Sequence, residues 1–128
     1  ENRISIIIDL PINEVFEFTI NPNNTHLWID WIVKEVCEEY PPKIWTIYKN
    51  VWKNWVRDSY KLIEFDINKT FLLMNIESEY FVKYTYKKLS DKKTELEYFE
   101  WIEKWKLENP FSIEVLIKLK EVIEKIKD

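Results

Sequence analysis

The C-terminal part of the chain carries a helical pattern of apolar residues. Between Phe111 and Lys127 the apolar side chains recur at spacings of three and four residues: Val115, Leu116, Leu119, Val122, Ile123 and Ile126. This spacing places them on one side of an α-helix. Asn109-Pro110 precedes them, and Asn can cap free backbone N–H groups while Pro at the first helical position loses no hydrogen bond. The pattern predicts an amphipathic helix over residues 111–127.

Strand patterns dominate the chain before that helix. Alternating Ile4, Ile6, Ile8 and Leu10 predict a first strand over residues 3–10. Pro11 is predicted to begin a short helix that stops at Asn21-Pro22-Asn23-Asn24, and a second short helix is predicted from Thr25 to Asp30. The β-branched and aromatic stretches predict further strands at 32–40, 44–53, 55–66, 70–79, 80–88 and 93–106. A final helix with a broad apolar face is then expected to lie across the sheet.

Alternation along the strands does not decide which face of the sheet points inward. Residues two apart share a face, and both faces carry bulky side chains. In the strand after Lys93, one face carries Leu96, Tyr98, Glu100 and Ile102, and the other carries Glu97, Phe99, Trp101 and Glu103. In the strand around residue 84, Val82, Tyr84 and Tyr86 lie opposite Phe81, Lys83 and Thr85. In the strand around residue 74, Leu72, Met74 and Ile76 lie opposite Phe71, Leu73 and Asn75. The sequence leaves both assignments open.

The chain contains no glycine, which excludes several kinds of site. A phosphate-binding P-loop, a dinucleotide-binding fingerprint and the usual nucleophile elbow all need glycine where the backbone turns tightly or approaches a ligand. Turns are therefore expected to use Asn, Asp and Pro instead. The candidate turns are Asn21-Pro22-Asn23-Asn24, Tyr40-Pro41-Pro42-Lys43, Asp66-Ile67-Asn68-Lys69 and Ser90-Asp91-Lys92-Lys93.

Composition indicates a soluble globular protein. A chain of 128 residues is long enough to bury a core without disulfides or metal, so we expect one domain over residues 1–128. No apolar run approaches the roughly 20 residues that span a bilayer, so integral membrane association is not expected. The lone Cys37 favours a reducing cytoplasm. A net charge of −4 with interspersed Lys and Glu disfavours a nucleic-acid partner.

The order of these elements resembles START/SRPBCC domains, the helix-grip superfamily that includes polyketide cyclases and the Bet v 1-like plant allergens. The segment from Ile6 to Phe18 resembles the opening strand and helix of that group, with its "Pro-x-x-x-Val-Phe/Trp" pattern at Pro11, Val15 and Phe16. The turn at 21–24, followed by Trp28 or Trp31, and the closing helix at Asn109-Pro110-Phe111 fit the same group. One departure is Pro41-Pro42, where many relatives carry glycines, so loop functions of the allergen branch are not transferred.

The resemblance implies an α+β helix-grip fold. In it, a curved antiparallel sheet of about six to seven strands wraps around the long C-terminal helix, and two short helices follow the first strand. A cavity is implied between sheet and helix, and its walls would hold the ligand-binding residues. The candidates on the predicted strands and helix are Met74, Tyr84, Tyr98, Glu100, Leu116, Leu119 and Ile123. For any single one of these residues, packing in a filled core is the more common role, and the expectation of a shared cavity rests on the fold.

Catalytic constellations are sparse. His26 is the only histidine, Asp30 could support it as a base only in principle, and Cys37 within a strand is more typical of a small buried residue. No metal site, catalytic set or cofactor is predicted. Carboxylates are plentiful: Glu64, Glu77, Glu79, Glu97, Glu100 and Glu103. Glu100 beside Tyr98 is the first candidate for proton transfer, although a solvated strand face with partners such as Lys87 and Lys104 is the more common arrangement.

Three functions fit these observations. The first is a module that binds or transports a small hydrophobic molecule such as a lipid, a quinone or a polyketide-like aromatic, as a monomer or homodimer. The second is a small cyclase or dehydratase that uses a cavity Glu or Tyr. The third is an interaction domain of the chaperone-activator kind, with a filled core and an exposed patch. A single-strand nucleic-acid binder using Lys49, Trp52, Lys53, Trp55 and Arg57 is a more distant alternative, because the chain is acidic.

Overall fold

The strands form one curved antiparallel sheet. The structure, a computed structural model, describes residues 1–103, 107 and 110–127. Its seven strands follow the order β1-β7-β6-β5-β4-β3-β2, and every neighbouring pair is antiparallel. The strands are β1 (Asn2–Ile8), β2 (Ile32–Cys37), β3 (Ile47–Trp52), β4 (Arg57–Asp66), β5 (Thr70–Asn75), β6 (Tyr80–Ser90) and β7 (Lys93–Ile102).

Three helices and one 3-10 turn complete the fold. The helices are α1 (Ile12–Ile20), α2 (Thr25–Trp28) and α3 (Ile113–Ile126), and the 3-10 turn Pro22–Asn24 lies between α1 and α2. The two short helices connect β1 to β2, which form the two opposite edges of the sheet. From β2 to β7, each strand then pairs with the next one along the chain. The helix-grip α+β class predicted from the element order is confirmed.

The sheet curls because its ladders contain irregularities. The register shifts between Ile32 and Lys34, between Leu62 and Glu64, and between Lys88 and Ser90. Each extra residue bends its strand and increases the local twist. The curled sheet has a concave face, and α3 packs against β1 and α2 beside it.

The structure decides which sheet face points inward. On β5, β6 and β7 the buried residues include Phe71, Leu73 and Asn75; Val82, Tyr84 and Tyr86; and Leu96, Tyr98 and Glu100. The apolar ones form one hydrophobic cluster with the fully buried Leu116, Leu119 and Ile123 of α3. The convex face instead carries a stack in which Trp101 lies against Phe81 and Phe99, while the Arg3 guanidinium lies 4.0 Å from the Phe99 ring centre.

Several predicted boundaries shift. The closing helix begins at Ile113 with Ser112 at its N-cap, rather than at Phe111, because Phe111 is held against the sheet. The predicted cap Asn109 and the predicted strand residues 104–106 lie outside the described residues. Strand β2 ends at Cys37, before Pro41-Pro42, and β3 starts only at Ile47. Strand β5 ends at Asn75, whose side-chain oxygen accepts the N–H groups of Glu77 and Ser78 and so closes a turn.

The turns of this glycine-free chain use unexpected residues. Asn68, between β4 and β5, has φ 62°, which agrees with the predicted use of Asn in turns. Trp45 and Trp55 also have positive φ, at 78° and 65°. Bulky side chains are disfavoured in this left-handed region. Sequence patterns therefore did not indicate these two turn positions.

Candidate functional site

A cavity of about 860 Å³ lies between the concave face of the sheet, the α2–β2 region and the start of α3. Its inner walls include the buried side chains Phe71, Leu73, Val82, Tyr84 and Tyr98. Exposed lining residues mark its rim: Glu77, Ser78, Pro110 and Ser112. Volumes of this size accommodate small organic ligands.

Aromatic rings form much of the wall. The Phe111 ring stacks on Tyr98, with centres 4.3 Å apart and planes 1° from parallel, and Trp31 meets Phe111 edge-on at 5.2 Å. Tyr84 in turn contacts Tyr98 edge-on at 5.4 Å. The first residues before α3 therefore continue the aromatic surface of the sheet. Such rings give a flat apolar wall with few rotatable bonds.

Glu100 is buried in this wall, and both of its carboxylate oxygens accept hydrogen bonds. It is 2% exposed, and one carboxylate oxygen accepts hydrogen bonds from the Phe111 backbone N–H at 2.8 Å and the Asn2 side-chain amide at 2.9 Å. The other oxygen accepts the Tyr80 hydroxyl at 2.8 Å. Asn2 also donates to the Phe111 carbonyl at 2.9 Å. Glu100 thus connects β7, β1 and the segment that enters α3 through hydrogen bonds. These bonds fix the position of Phe111, which we call the lid of the cavity.

Glu35 is the second inward carboxyl and has a different environment. The Thr25 hydroxyl donates to one of its oxygens at 2.6 Å, and the Asn50 side-chain amide lies 3.4 Å from the other. Desolvation raises the pKa of Glu35 to about 7, because the two hydrogen bonds from uncharged partners only partly offset the loss of water. Its side chain is half-buried, since part of its surface faces the cavity that it lines. Glu35 is therefore able to exchange a proton near neutral pH.

Tyrosine hydroxyls supply the remaining polar character of the inner wall. Burial raises the pKa of Tyr60 to about 12, and desolvation raises the pKa of Tyr80, Tyr84 and Tyr98 further. All four rings line the cavity and are neutral at physiological pH. The Tyr80 and Tyr98 hydroxyls lie 3.3 Å apart. These groups can orient a ligand by hydrogen bonding but cannot act as bases near neutral pH.

The predicted ligand-binding residues fall into two groups. Tyr84, Tyr98 and Glu100 line the cavity together. Met74 lies on the opposite face of β5 from the lining residues Phe71, Leu73 and Asn75. Leu116, Leu119 and Ile123 are fully buried in the core and do not line the cavity. The part of α3 that reaches the cavity is its first turn, through Val115.

Sequence analysis missed Glu35 for a physical reason. Strict alternation assigns Ile32 and Glu35 to opposite faces, since they are three residues apart. The irregular register between Ile32 and Lys34 shifts the phase by one residue, so Ile32 is buried while Glu35 also points inward. Val33 and Val36 are exposed instead. A strand with outward Val and inward Glu gives no recognisable pattern in a single sequence.

The predicted candidates His26, Asp30 and Cys37 lie apart from the cavity. His26 is exposed on α2, and Asp30 is exposed and paired with Lys118, whose hydrogen bond lowers the pKa of Asp30. The Cys37 thiol donates to the Glu39 carbonyl, and burial raises its pKa. Among the described residues, no group of three His, Cys, Asp or Glu side chains is arranged to hold a metal ion. Within the same residues, no helix is long and apolar enough to cross a membrane.

Comparisons with known proteins identify the fold. No model of a known protein family matches the chain, and no curated protein matches it. Solved structures do. A START superfamily protein from Mycobacterium smegmatis has a TM-score of 0.76 and 10% identity, with 98% of this chain and 97% of that chain covered. The XoxI protein from Bacillus cereus also has a TM-score of 0.76 and 10% identity, with 99% and 97% covered.

A third similar structure is the di-domain ARO/CYC protein StfQ from the steffimycin biosynthetic pathway. Its TM-score is 0.70 at 12% identity, and the match covers 99% of this chain but 46% of that one. Identities this low carry information on the fold alone, because one scaffold hosts many functions. The chain has the START-like helix-grip fold.

Proposed function

We propose that this protein binds a small, largely apolar organic molecule in the cavity between the sheet and the start of α3. The observation that carries this proposal is a volume of about 860 Å³ lined by aromatic rings, with a few polar groups directed into it. Moving apolar ligand surface out of water supplies roughly 25 cal/mol per Å². The tyrosine hydroxyls and Glu35 then set the orientation of the ligand.

The similar structures are consistent with this proposal. The START superfamily name and the ARO/CYC designation belong to proteins with the same helix-grip fold, in which a sheet and a helix enclose a space. An interaction domain with a filled core has less support, because the interior of this protein is not filled. The proposed ligand body is a lipid, a quinone or a polyketide-like aromatic. Identifying the molecule that is purified with the protein distinguishes these three classes.

Native mass spectrometry of protein purified from its own host is the first test. We expect a stoichiometric apolar molecule that denaturing extraction releases. The recombinant protein is then titrated with N-phenyl-1-naphthylamine, a neutral dye whose fluorescence rises in apolar surroundings. Saturable binding of one dye per chain supports the proposal. An empty protein that also fails to bind the dye contradicts it.

A pair of variants on β5 tests where the dye binds. Leu73 lines the cavity, whereas its neighbour Leu72 lies on the opposite face of the same strand. Leu73→Phe adds volume inside the cavity, and we expect the dye affinity to fall by about tenfold or more, since one steric conflict costs about 1–3 kcal/mol. Leu72→Phe is the matched control and should leave the dye affinity unchanged. If the two substitutions changed the dye affinity equally, the dye would bind outside the cavity.

A second candidate function is proton-transfer catalysis in the same cavity. Glu35 favours it, because a general acid or base works best when its pKa lies near the working pH, and the pKa of Glu35 is about 7. Glu100, the pair partner of Tyr98 suggested by the sequence, is engaged by three donors and is less suited to this role. A turnover screen with aromatic polyketide analogues tests it. Activity that disappears in Glu35→Gln supports catalysis, and the absence of turnover leaves binding as the function.

A further inference from the structure

Among the residues that the structure describes, every charged side chain that lines the cavity is acidic. Among the described residues that line it, the acidic side chains are Glu35, Asp58, Glu77 and Glu100, and none is Lys, Arg or His. Negative charges that face a space with low-dielectric walls attract cations and repel anions. A carboxylate or phosphate carried by a ligand would meet no positively charged partner among these lining residues.

The aromatic rings of the cavity reinforce the same preference. Trp31, Trp52, Tyr60, Tyr80 and Phe111 all line it. The face of an aromatic ring is electron-rich and attracts a cation placed over it, with Trp the strongest of the three ring types. Sites that combine several aromatic faces with a nearby carboxylate suit ammonium groups. The attraction between the cation and the rings offsets part of the hydration that the cation loses on binding.

Of the two inward carboxyls, Glu35 and Glu100, Glu35 has more hydrogen-bonding capacity left for a ligand. A carboxylate can accept about four hydrogen bonds. Glu35 receives one short bond, from Thr25, and a longer one from Asn50, whereas Glu100 receives three bonds of 2.9 Å or less. The Trp52 indole N–H donates to the Asn50 side-chain oxygen at 3.0 Å, so Trp52, Asn50 and Glu35 are linked. A ring that lines the cavity is thereby connected, through Asn50, to a carboxyl that can accept further hydrogen bonds.

We propose that the preferred ligand is an organic ammonium ion on an apolar body, with its charged group bound next to Glu35 and its body against the aromatic wall. This inference rests on the proposed function and adds the chemical class of the ligand. The apolar body contributes affinity by leaving water, and the ammonium group contributes selectivity. Fatty acids and other anionic amphiphiles are then poor ligands.

The state of Glu35 makes this preference dependent on pH. Glu35 interacts electrostatically with four titratable side chains: Cys37 on β2, Tyr48 on β3, Tyr60 on β4 and Tyr84 on β6. Burial raises the pKa of each of them, so they stay neutral around pH 7. Its hydrogen-bonding partners on α2 and β3 do not titrate. A bound cation favours the ionised form of Glu35, so binding near pH 7 should release protons.

A set of matched probes tests the proposal. The first is (2-naphthylmethyl)trimethylammonium, whose charge does not change with pH. The second is 2-neopentylnaphthalene, in which carbon replaces the charged nitrogen and the shape is kept. The third is the anion 2-naphthylacetate. Each competes against the neutral dye N-phenyl-1-naphthylamine, so that binding to the cavity and charge preference are measured separately.

The cation alone should respond to pH and to Glu35. With a pKa of about 7 for Glu35, the ionised fraction rises about tenfold from pH 6 to pH 8, and the affinity for the cation should rise five- to tenfold with it. At pH 8, Glu35→Gln should lower the affinity for the cation about tenfold more than that for the neutral isostere. Glu97→Gln, on the convex face of β7, is the control and should change neither.

The outcomes separate the two proposals. If the dye binds but the cation and its neutral isostere respond alike to pH and to Glu35→Gln, or if the anion binds most tightly, the ammonium proposal is overturned while the binding function stands. If the dye itself does not bind, both fail. The pH series on the unaltered protein keeps the test decisive even if Glu35→Gln does not fold. Calorimetry in buffers with different ionisation enthalpies checks the expected proton release.

Discussion

Replacing Glu100 by Ala is expected to lower the free energy of unfolding by about 3–5 kcal/mol. The substitution removes the acceptor of three half-buried donors: the Phe111 backbone N–H, the Asn2 amide and the Tyr80 hydroxyl. It also opens a space in a part of the protein where Glu100 is 2% exposed. Urea denaturation followed by tryptophan fluorescence measures the loss.

The matched control for this prediction is Glu97→Ala on the same strand. Glu97 lies on the convex face, where it pairs with the exposed Arg3. Pairs of this kind contribute about 1 kcal/mol or less. Because Glu100 holds Phe111, its removal should also reduce dye binding in whatever fraction stays folded. If both substitutions cost the same small amount, Glu100 does not hold the lid.

The second large expected effect is a gain in stability on replacing Glu35 by Gln, and it should depend on pH. The pKa of Glu35 is about 7 in the folded protein and 4.5 as its ordinary value. Between these values the folded protein binds more protons than the unfolded chain, so the stability of the unaltered protein falls as the pH rises through this window. Above pH 7 the whole cost of the buried charge is present. The substitution removes this cost, and the oxygen of the new side-chain amide can still accept the Thr25 hydroxyl.

We therefore expect Glu35→Gln to be more stable than the unaltered protein at pH 8, by up to about 3 kcal/mol. The difference should shrink as the pH falls from 7 to 4.5. Carboxyls whose pKa is lowered in the fold, such as Glu64, add the opposite trend to both proteins, so the difference between the two is the quantity to compare. Urea denaturation at several pH values measures it. A difference that does not vary with pH would show that Glu35 is not a desolvated carboxyl.

These two glutamates show how a tertiary environment divides residues of one type. Glu100 meets three donors from three separate parts of the chain, which satisfy its carboxyl oxygens inside the protein. Glu35 meets two uncharged partners and a cavity. The first acts through the position of Phe111, and the second remains available to a ligand. Loss of Glu100 should therefore lower the free energy of unfolding, whereas loss of Glu35 should change the ligand selectivity and the pH dependence.

Local patterns were sufficient for the elements and their order. The three- and four-residue spacing from Val115 to Ile126 predicts α3, because this periodicity is local to the chain. Alternation predicts β1, and β-branched and aromatic content predicts the strands after Ile32. Resemblance of the Pro11 segment and the closing helix to START/SRPBCC domains added the helix-grip topology, which the structure confirms. Helix and strand ends were less exact, because they depend on contacts such as that of Phe111 with Glu100.

The order of elements and the residue types along the chain were enough to predict the class of fold and to exclude glycine-based sites. Which sheet face is concave could not be predicted in this way, because both faces carry bulky side chains and the curl of the folded sheet alone distinguishes them. The tertiary structure also placed Glu35 inside, because one irregular step between Ile32 and Lys34 reverses the alternation of β2. The pKa of that carboxyl depends on Thr25 and Asn50, which reach it from other elements, and on the water excluded around it.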